Sequence, residues 1–270
     1  MEGKIVLVTG STAGIGLQTA VDLALLGAEV LIHGRNEERC INAQNFVLRE
    51  TGKSCRYFTG DLSSFESIGK MADNILSDYE RLDVLINNAG IYMNEKMISK
   101  DGFEMTFAVN HLAPFYLTNL LLDLLKKSGS GRIINVSSVA HLRGKIDFHN
   151  LNAEKHFDGY GVYSMSKLAN VLFTNYLAER LKDDVVTVNS LHPGVITTKL
   201  LKAGFNMCGA SLQEGAATSV YLASSDEARN VTGKYFDKSR IAVSSSDSVN
   251  IDIQKRLWEV SEEITGVKYW

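Results

Sequence analysis

Tyr163 and Lys167, four residues apart in Tyr163-Ser164-Met165-Ser166-Lys167, are the chain's clearest candidates for proton chemistry. On a helix that spacing puts both side chains on one face, one turn apart. A free phenol, with a pKa of about 10, is a poor acid or base at neutral pH. A nearby ammonium favours the phenolate and would draw that value toward the working range. Pairs of this kind also occur on ordinary helix surfaces, so this one gains meaning only from its company. A second feature supplies some: Thr9-Gly10-Ser11-Thr12-Ala13-Gly14-Ile15-Gly16, lodged between an apolar run and a helical segment. Glycines there let the backbone turn tightly and approach a pyrophosphate, while the N–H groups and dipole of the following helix point at the anion. The spacing is not GxGxxG, and there is no Lys-Ser/Thr pair to make a nucleoside triphosphate loop.

These residues need a frame. Short β-branched runs alternate with helix-period segments along the whole chain. Strands are expected at Ile5–Thr9, Glu29–His33, Ser54–Thr59, Val84–Asn87, Arg132–Ser137, Val185–Leu191 and Lys234–Phe236. Helices are expected at Ile15–Leu26, Glu37–Thr51, Phe65–Asp78, Gly102–Lys127, Val162–Lys182, Gln213–Ala223 and Ile251–Thr265. Continuous apolar strands such as Ile5-Val6-Leu7-Val8 suit a parallel sheet covered on both faces. Strict alternation then predicts an α/β, Rossmann-like, doubly wound parallel sheet of about seven strands in a single domain. Two stretches break the pattern, about 139–161 and 199–212. Both follow strands, so both are expected as substrate loops at the carboxyl edge of the sheet.

Composition narrows the partners. The 270 residues hold 28 Lys+Arg against 31 Asp+Glu, a formal net charge of −3, and 45% are hydrophobic. That balance gives no electrostatic reason to expect nucleic acid or an anionic membrane. Cys40, Cys55 and Cys208 are widely spaced, with no CxxC and no zinc-ligand pattern, so free thiols and no metal site are expected. No apolar run reaches the roughly eighteen residues of a membrane helix. The expectation is therefore a cytoplasmic protein with no integral membrane segment.

With order added, the motifs resemble the short-chain dehydrogenase/reductase superfamily. Thr-Gly-x-x-x-Gly-Ile-Gly at the first turn is followed by Asn87-Asn88-Ala89-Gly90, Asn110, Ser137-Ser138, Tyr163 to Lys167, and Pro193-Gly194. The resemblance implies hydride transfer to or from a nicotinamide cofactor, with Asn110, Ser138, Tyr163 and Lys167 as a catalytic tetrad. Ser138 would hydrogen-bond the substrate oxygen, Tyr163 would exchange the proton, Lys167 would hold the nicotinamide ribose, and Asn110 would hold a relay water. The cofactor set it implies comprises Gly10, Ser11, Thr12, Gly14, Ile15, Gly16, Asn87, Ala89 and Gly90, with Tyr163 and Lys167. It adds Pro193, Gly194, Val195 and Thr198 after the sixth strand, and Asp61 and Leu62 after the third. Asp61 has an equally physical reading as a helix cap.

The second strand ends His33-Gly34-Arg35-Asn36. A carboxylate at that strand end would bind the adenosine 2′-hydroxyl of NAD, whereas Arg35, with Asn36 beside it, can meet a 2′-phosphate. NADP(H) is expected over NAD(H).

The 24 residues between Ser138 and Tyr163, together with Asn110-His111-Leu112-Ala113-Pro114-Phe115 and His192-Pro193-Gly194, resemble the retinol dehydrogenase-like branch. That implies a lipophilic aldehyde, ketone or alcohol as small-molecule substrate. A homodimer or homotetramer pairing through the long helices after Asn110 and before Lys182 is also implied. Two alternatives stay open: a catalytically silent NADP(H)-binding sensor or scaffold, and an NADPH-dependent carbon–carbon double-bond reductase. His192 has no partner at catalytic spacing and reads as structural.

Overall fold

The apolar runs become the strands of one sheet in a computed structural model that describes residues 1–198, 201 and 209–269. In chain order these are β1 (Ile5–Val8), α1 (Gly14–Leu25), β2 (Glu29–Gly34), α2 (Glu37–Thr51), β3 (Arg56–Thr59), α3 (Phe65–Asp78), β4 (Val84–Asn87), α4 (Ala113–Lys127) and β5 (Arg132–Val136). There follow α5 (Gly159–Arg180), β6 (Thr187–His192), α6 (Leu212–Ser224), β7 (Lys234–Asp237), β8 (Arg240–Ile241) and α7 (Ile251–Thr265). The sheet order is β3-β2-β1-β4-β5-β6-β7-β8. Pairing is parallel up to β7, and the order in which strands are added reverses between β1 and β4, where this architecture places its ligands. The continuous apolar strands are explained by the two layers. Leu7 faces a core built with α3, α4 and α5, while Val6 and Val8 face one built with α1, α2 and α6.

Among the described residues the sheet has eight strands rather than about seven. β8 is two residues long and antiparallel to β7, joined by a turn in which Lys238 and Ser239 both have positive φ. A strand that short leaves no periodicity to read. The helix expected over Gly102–Lys127 is also not continuous. Met105–Phe107 is one short helical turn, Ala108–Leu112 is a π-helical turn centred on Asn110, and regular α-helix resumes at Ala113.

The segment expected as the first substrate loop divides in two. Val139–Arg143 forms a 3-10 turn next to the sheet edge. Beyond it, Ile146, Phe148, Leu151, Ala153 and Phe157 pack with Phe107, Leu112, Met165, Leu168 and Leu257 in a third apolar core, and the Arg256 guanidinium lies 4.2 Å over the Phe148 ring. Most of this insertion is therefore scaffold that braces α5 against α7. The end of the chain completes the cover. Trp258 on α7 packs edge-on to Phe115 and 4.5 Å from the Tyr269 ring, and the Tyr269 hydroxyl donates to the Phe115 carbonyl at 2.6 Å. Phe115 on α4 and Phe173 and Tyr176 on α5 thus pack against the C-terminal segment. No described helix is long and apolar enough to cross a membrane. Cys40 and Cys55 are buried free thiols, and Cys208 lies outside the described residues.

Two fully buried histidines make the fold pH-sensitive. Burial lowers His33 to about 4 and His111 to about 3. Both stay neutral in the native chain at pH values where an unfolded histidine, with its pKa of about 6.5, takes up a proton. Their contribution is intact above pH ~6.5 and is lost as pH falls through that value toward 4. At about 2–4 °C per kcal/mol for a chain of this size, Tm should fall by ~10 °C or more between pH 7 and pH 4.5. A thermal-melt series with a flat Tm across that window would contradict this.

Candidate active site

The site begins where β1 meets β4. The Thr9 hydroxyl donates to the Ile86 carbonyl at 3.3 Å and accepts from the amides of Asn88 and Ala89, both at 3.0 Å. Asn88 answers with its Nδ2, which donates to the Thr9 carbonyl at 2.7 Å. The two strand ends are so close that side chains between them are not tolerated. A Cβ on Gly10, whose φ is +64°, would lie 2.9 Å from the Ala89 Cα, and one on Gly16 would lie 2.4 Å from Asn88 Nδ2 and 2.5 Å from the Gly10 carbonyl oxygen.

The turn this creates is held from the far side by His33. The Gly10 amide donates to His33 Nδ1 at 3.0 Å, so the ring carries its proton on Nε2, which faces the Gly60 carbonyl at 3.0 Å. Helix α1 then starts at Ala13 with no side chain capping it and no acidic residue in its first turn. α2, α3, α5, α6 and α7 all begin with a capping side chain. The uncapped N–H groups of α1 and its dipole face the cavity, which is the arrangement an anion needs.

That cavity has a volume of about 450 Å³ and runs from the glycine turn to the ends of β5 and β6. Its wall includes Gly10, Gly14, Ile15, Gly16, Ala89, Gly90, Ser138, Tyr163, Lys167, Pro193, Gly194, Val195 and Thr198 from the expected set. None of its described lining residues is acidic. Asn110 stands just behind the wall: a Cβ on Gly90 would be 3.2 Å from Lys167 Nζ and 3.5 Å from Asn110 Oδ1. The π-turn explains how Asn110 gets there. Its Oδ1 accepts from the Ile91 amide at 2.8 Å, and its Nδ2 donates to the Ile91 carbonyl and to Ser166 Oγ, both at 3.0 Å. One asparagine thus pairs with the backbone beyond β4 as a strand would, and anchors α5 as well.

Other expected residues stand elsewhere. Ser11 is fully buried, with its amide and hydroxyl committed to the His33 carbonyl and the Val8 carbonyl. Asn87 is buried too, its Nδ2 donating to Asn135 and Thr118. Both therefore shape the cradle from behind, and neither presents a side chain to the cavity. Asn36 is the N-cap of α2. Asp61 is not the cap of α3, a role taken by Ser64; it accepts from the Ser63 amide and hydroxyl and pairs with Lys100. Leu62 packs in the core beneath it. Thr12 and Arg35 flank the end of β2, where a Cβ on Gly34 would lie 2.4 Å from Thr12 Cγ2; Arg35 is exposed.

The electrostatics of the tyrosine–lysine pair differ from expectation. Burial pushes the Tyr163 phenol up to about 12, only partly offset by a hydrogen bond from Ser138. Burial also brings the Lys167 ammonium down to about 8. Its Nζ donates to the Val136 carbonyl at 3.0 Å and lies 5.7 Å from the Tyr163 ring centroid, too far to outweigh desolvation. Tyr163 is therefore a protonated acid at neutral pH.

Several wall residues escaped sequence reasoning. Tyr160, one turn ahead of Tyr163, and His192 both line the cavity, and buried His192 Nδ1 has no hydrogen-bond partner. Helical spacing from Tyr163 could have flagged Tyr160. Of the second expected loop, Leu201 joins the wall; residues 199–200 and 202–208 lie outside the described residues.

A parallel sheet with a glycine-rich phosphate cradle at its reversal point, and a buried Tyr/Lys/Ser cluster beside it, defines a dinucleotide-binding α/β protein. The comparisons make this specific. The short chain dehydrogenase profile matches residues 4–208, and the chain belongs to that family. It is 42% identical to mouse retinol dehydrogenase 13 over 98% of this chain and 84% of the relative. An uncharacterized protein of Mycobacterium paratuberculosis superposes with a TM-score of 0.85 at 30% identity, covering 100% of this chain and 96% of that one. A short chain dehydrogenase from Escherichia coli in complex with NADPH superposes with a TM-score of 0.74 at 28% identity, covering 89% and 98% of the two chains.

The glycine contacts give a direct test of the cradle. In Gly16→Val the new side chain would displace the Gly10 carbonyl or Asn88, so dinucleotide affinity should fall about 100-fold, equivalent to about 3 kcal/mol. Calorimetric titration with NADPH measures it; an unchanged Kd in a folded variant would mean the turn is not the phosphate cradle.

Proposed function

We propose that this protein is an NADP(H)-dependent oxidoreductase that interconverts a lipophilic aldehyde or ketone with its alcohol. The observation that carries the reading is the convergence of Ser138, Tyr163 and Lys167, with Asn110 behind them, on one cavity that also contains the glycine cradle. The cofactor supplies the hydride. The uncapped start of α1 and the close-packed glycines would hold its pyrophosphate, Lys167 its nicotinamide ribose, and Pro193 to Val195 its carboxamide.

The chain's own residues then do the proton chemistry. Ser138 Oγ accepts from the Ala140 amide at 3.2 Å and hydrogen-bonds Tyr163, so the two hydroxyls sit together where a substrate oxygen would enter between them. Tyr163, protonated at neutral pH, stands ready to deliver a proton to a carbonyl oxygen. In the opposite direction the same phenol oxygen must accept one, and a cationic neighbour makes that easier. Val139, Val195, Ile196 and Leu201 give the cavity an apolar wall, which suits a lipophilic substrate and keeps water from the reacting carbon. The relationship to a retinol dehydrogenase supports alcohol–carbonyl chemistry, and the likeness to an NADPH complex supports the cofactor class.

Tyr163→Phe removes the proton that this reading transfers. Turnover of aldehydes should fall about 10³-fold, within the range general acid catalysis supplies, while NADPH affinity stays within about twofold. Full turnover in that variant would sink the mechanism.

NADP(H) preference rests on Arg35 at the end of β2, where a charge-assisted bond to a 2′-phosphate is worth about 1.5–3 kcal/mol. Arg35→Glu should therefore shift the NADPH-to-NADH ratio of kcat/KM by at least about tenfold toward NADH. An unaltered ratio would make Arg35 a bystander on the surface.

A further inference from the structure

We propose that His141 is a positioning residue for Ser138, locked in the neutral tautomer that carries its proton on Nδ1. The inference rests on the oxidoreductase reading of Ser138. His141 is fully buried in the 3-10 turn Val139–Arg143, three residues beyond Ser138. Its Nδ1 lies 2.7 Å from the Ser138 carbonyl oxygen, and its Nε2 lies 3.2 Å from the Ser245 amide nitrogen. A carbonyl can only accept and an amide N–H can only donate. Nδ1 must therefore carry a proton and Nε2 must be bare, so the two contacts together admit a single protonation state. The ring also packs against Tyr235, whose centroid is 4.5 Å away at a tilt of 53°. Burial lowers the His141 pKa, which favours the same neutral form.

The consequence falls on Ser138. Its carbonyl accepts from both the His141 ring at 2.7 Å and the His141 backbone amide at 3.1 Å, while its Oγ accepts from the Ala140 amide. Carbonyl and hydroxyl are thus both fixed, and the hydroxyl proton is left to point toward Tyr163 and the cavity. The other end of the clamp is the segment after β8. There Ser248 Oγ donates to the Ser245 carbonyl, and the Ser248 carbonyl accepts from Gln254 Nε2 on α7 and Asn175 Nδ2 on α5, each at 2.8 Å. His141 is the link through which this C-terminal framework bears on Ser138. No other neutral side chain offers a rigid donor and acceptor on opposite edges of one ring.

Two measurements test the role. Nitrogen-15 NMR of the histidine-labelled full chain, with His141 assigned from the missing signal in His141→Asn, should show a protonated Nδ1 and a bare Nε2. An Nε2-protonated ring or an imidazolium at neutral pH would overturn the proposal. Steady-state kinetics use three variants: Asn keeps a donor near Nδ1, Gln keeps an acceptor near Nε2, and Phe removes both. His141→Gln and His141→Phe should lose about tenfold in kcat with NADPH Kd within about twofold, and His141→Asn should recover to within about threefold of the parent, as one lost and one kept hydrogen bond require. Parental kcat in His141→Phe, or equal losses in Asn and Gln that track Tm, would overturn this role alone. A parent chain that turns over no carbonyl or alcohol would instead overturn the oxidoreductase reading and this role with it.

Discussion

The contact between the ends of β1 and β4 governs the rest of the molecule. Three backbone groups converge on the Thr9 hydroxyl, and Asn88 returns a bond to the Thr9 carbonyl. This closeness is possible only because Gly10 and Gly16 have no Cβ to fill the gap. It opens the sheet at its reversal point, starts α1 facing the opening, and brings Gly90 within reach of Lys167 and Asn110. A larger side chain at either glycine would separate the cradle from the proton-transfer cluster. The glycine turn and the Tyr163–Lys167 end of the cavity are therefore set by one piece of packing.

Desolvation is the second organising force. Tyr163, Lys167, Asn110 and His141 are all at most a few per cent exposed, and each polar atom in such a setting needs a partner or shifts its ionisation. Lys167 finds the Val136 carbonyl, Asn110 the Ile91 peptide, and His141 the Ser138 and Ser245 peptides. These side chains are held chiefly by backbone groups at or just beyond strand ends. The insertion before α5 and the C-terminal α7 press on the outer side of the same helix. A shell built from the insertion and the C-terminal helix thus braces the helix that bears Tyr163 and Lys167.

Much of this was legible in the sequence, for identifiable reasons. Parallel strands buried on both faces leave unbroken apolar runs, so the strand positions from Ile5 to Phe236 could be read to within about two residues. The motifs of the cavity wall follow successive strands, and their order located Ser138, Tyr163, Lys167 and Pro193-Gly194 at one edge. What could not be read depends on contacts between distant positions. The π-turn at Asn110 answers to Ile91, nineteen residues earlier, whereas local periodicity alone reads a continuous helix. His33 and His141 look like ordinary strand or loop residues until Gly10, Gly60 and Ser245 are brought beside them. The mixed polarity of the insertion concealed Ile146, Phe148 and Leu151, whose partner Leu257 is about a hundred residues away. Spacing identified the neighbour of Tyr163 but not its burial, and so gave the wrong direction for its pKa.

In the proposed reaction, hydride passes between a nicotinamide and the carbon of a carbonyl held by Ser138 and Tyr163. The most direct measurement uses NADPH carrying deuterium at the transferred position of its nicotinamide ring, a lipophilic aldehyde or enone, and mass and NMR analysis of the product. The expected product carries one deuterium on the carbinol carbon of the alcohol formed. Deuterium at a former alkene carbon, or bound NADPH that transfers none to any carbonyl offered, would contradict it.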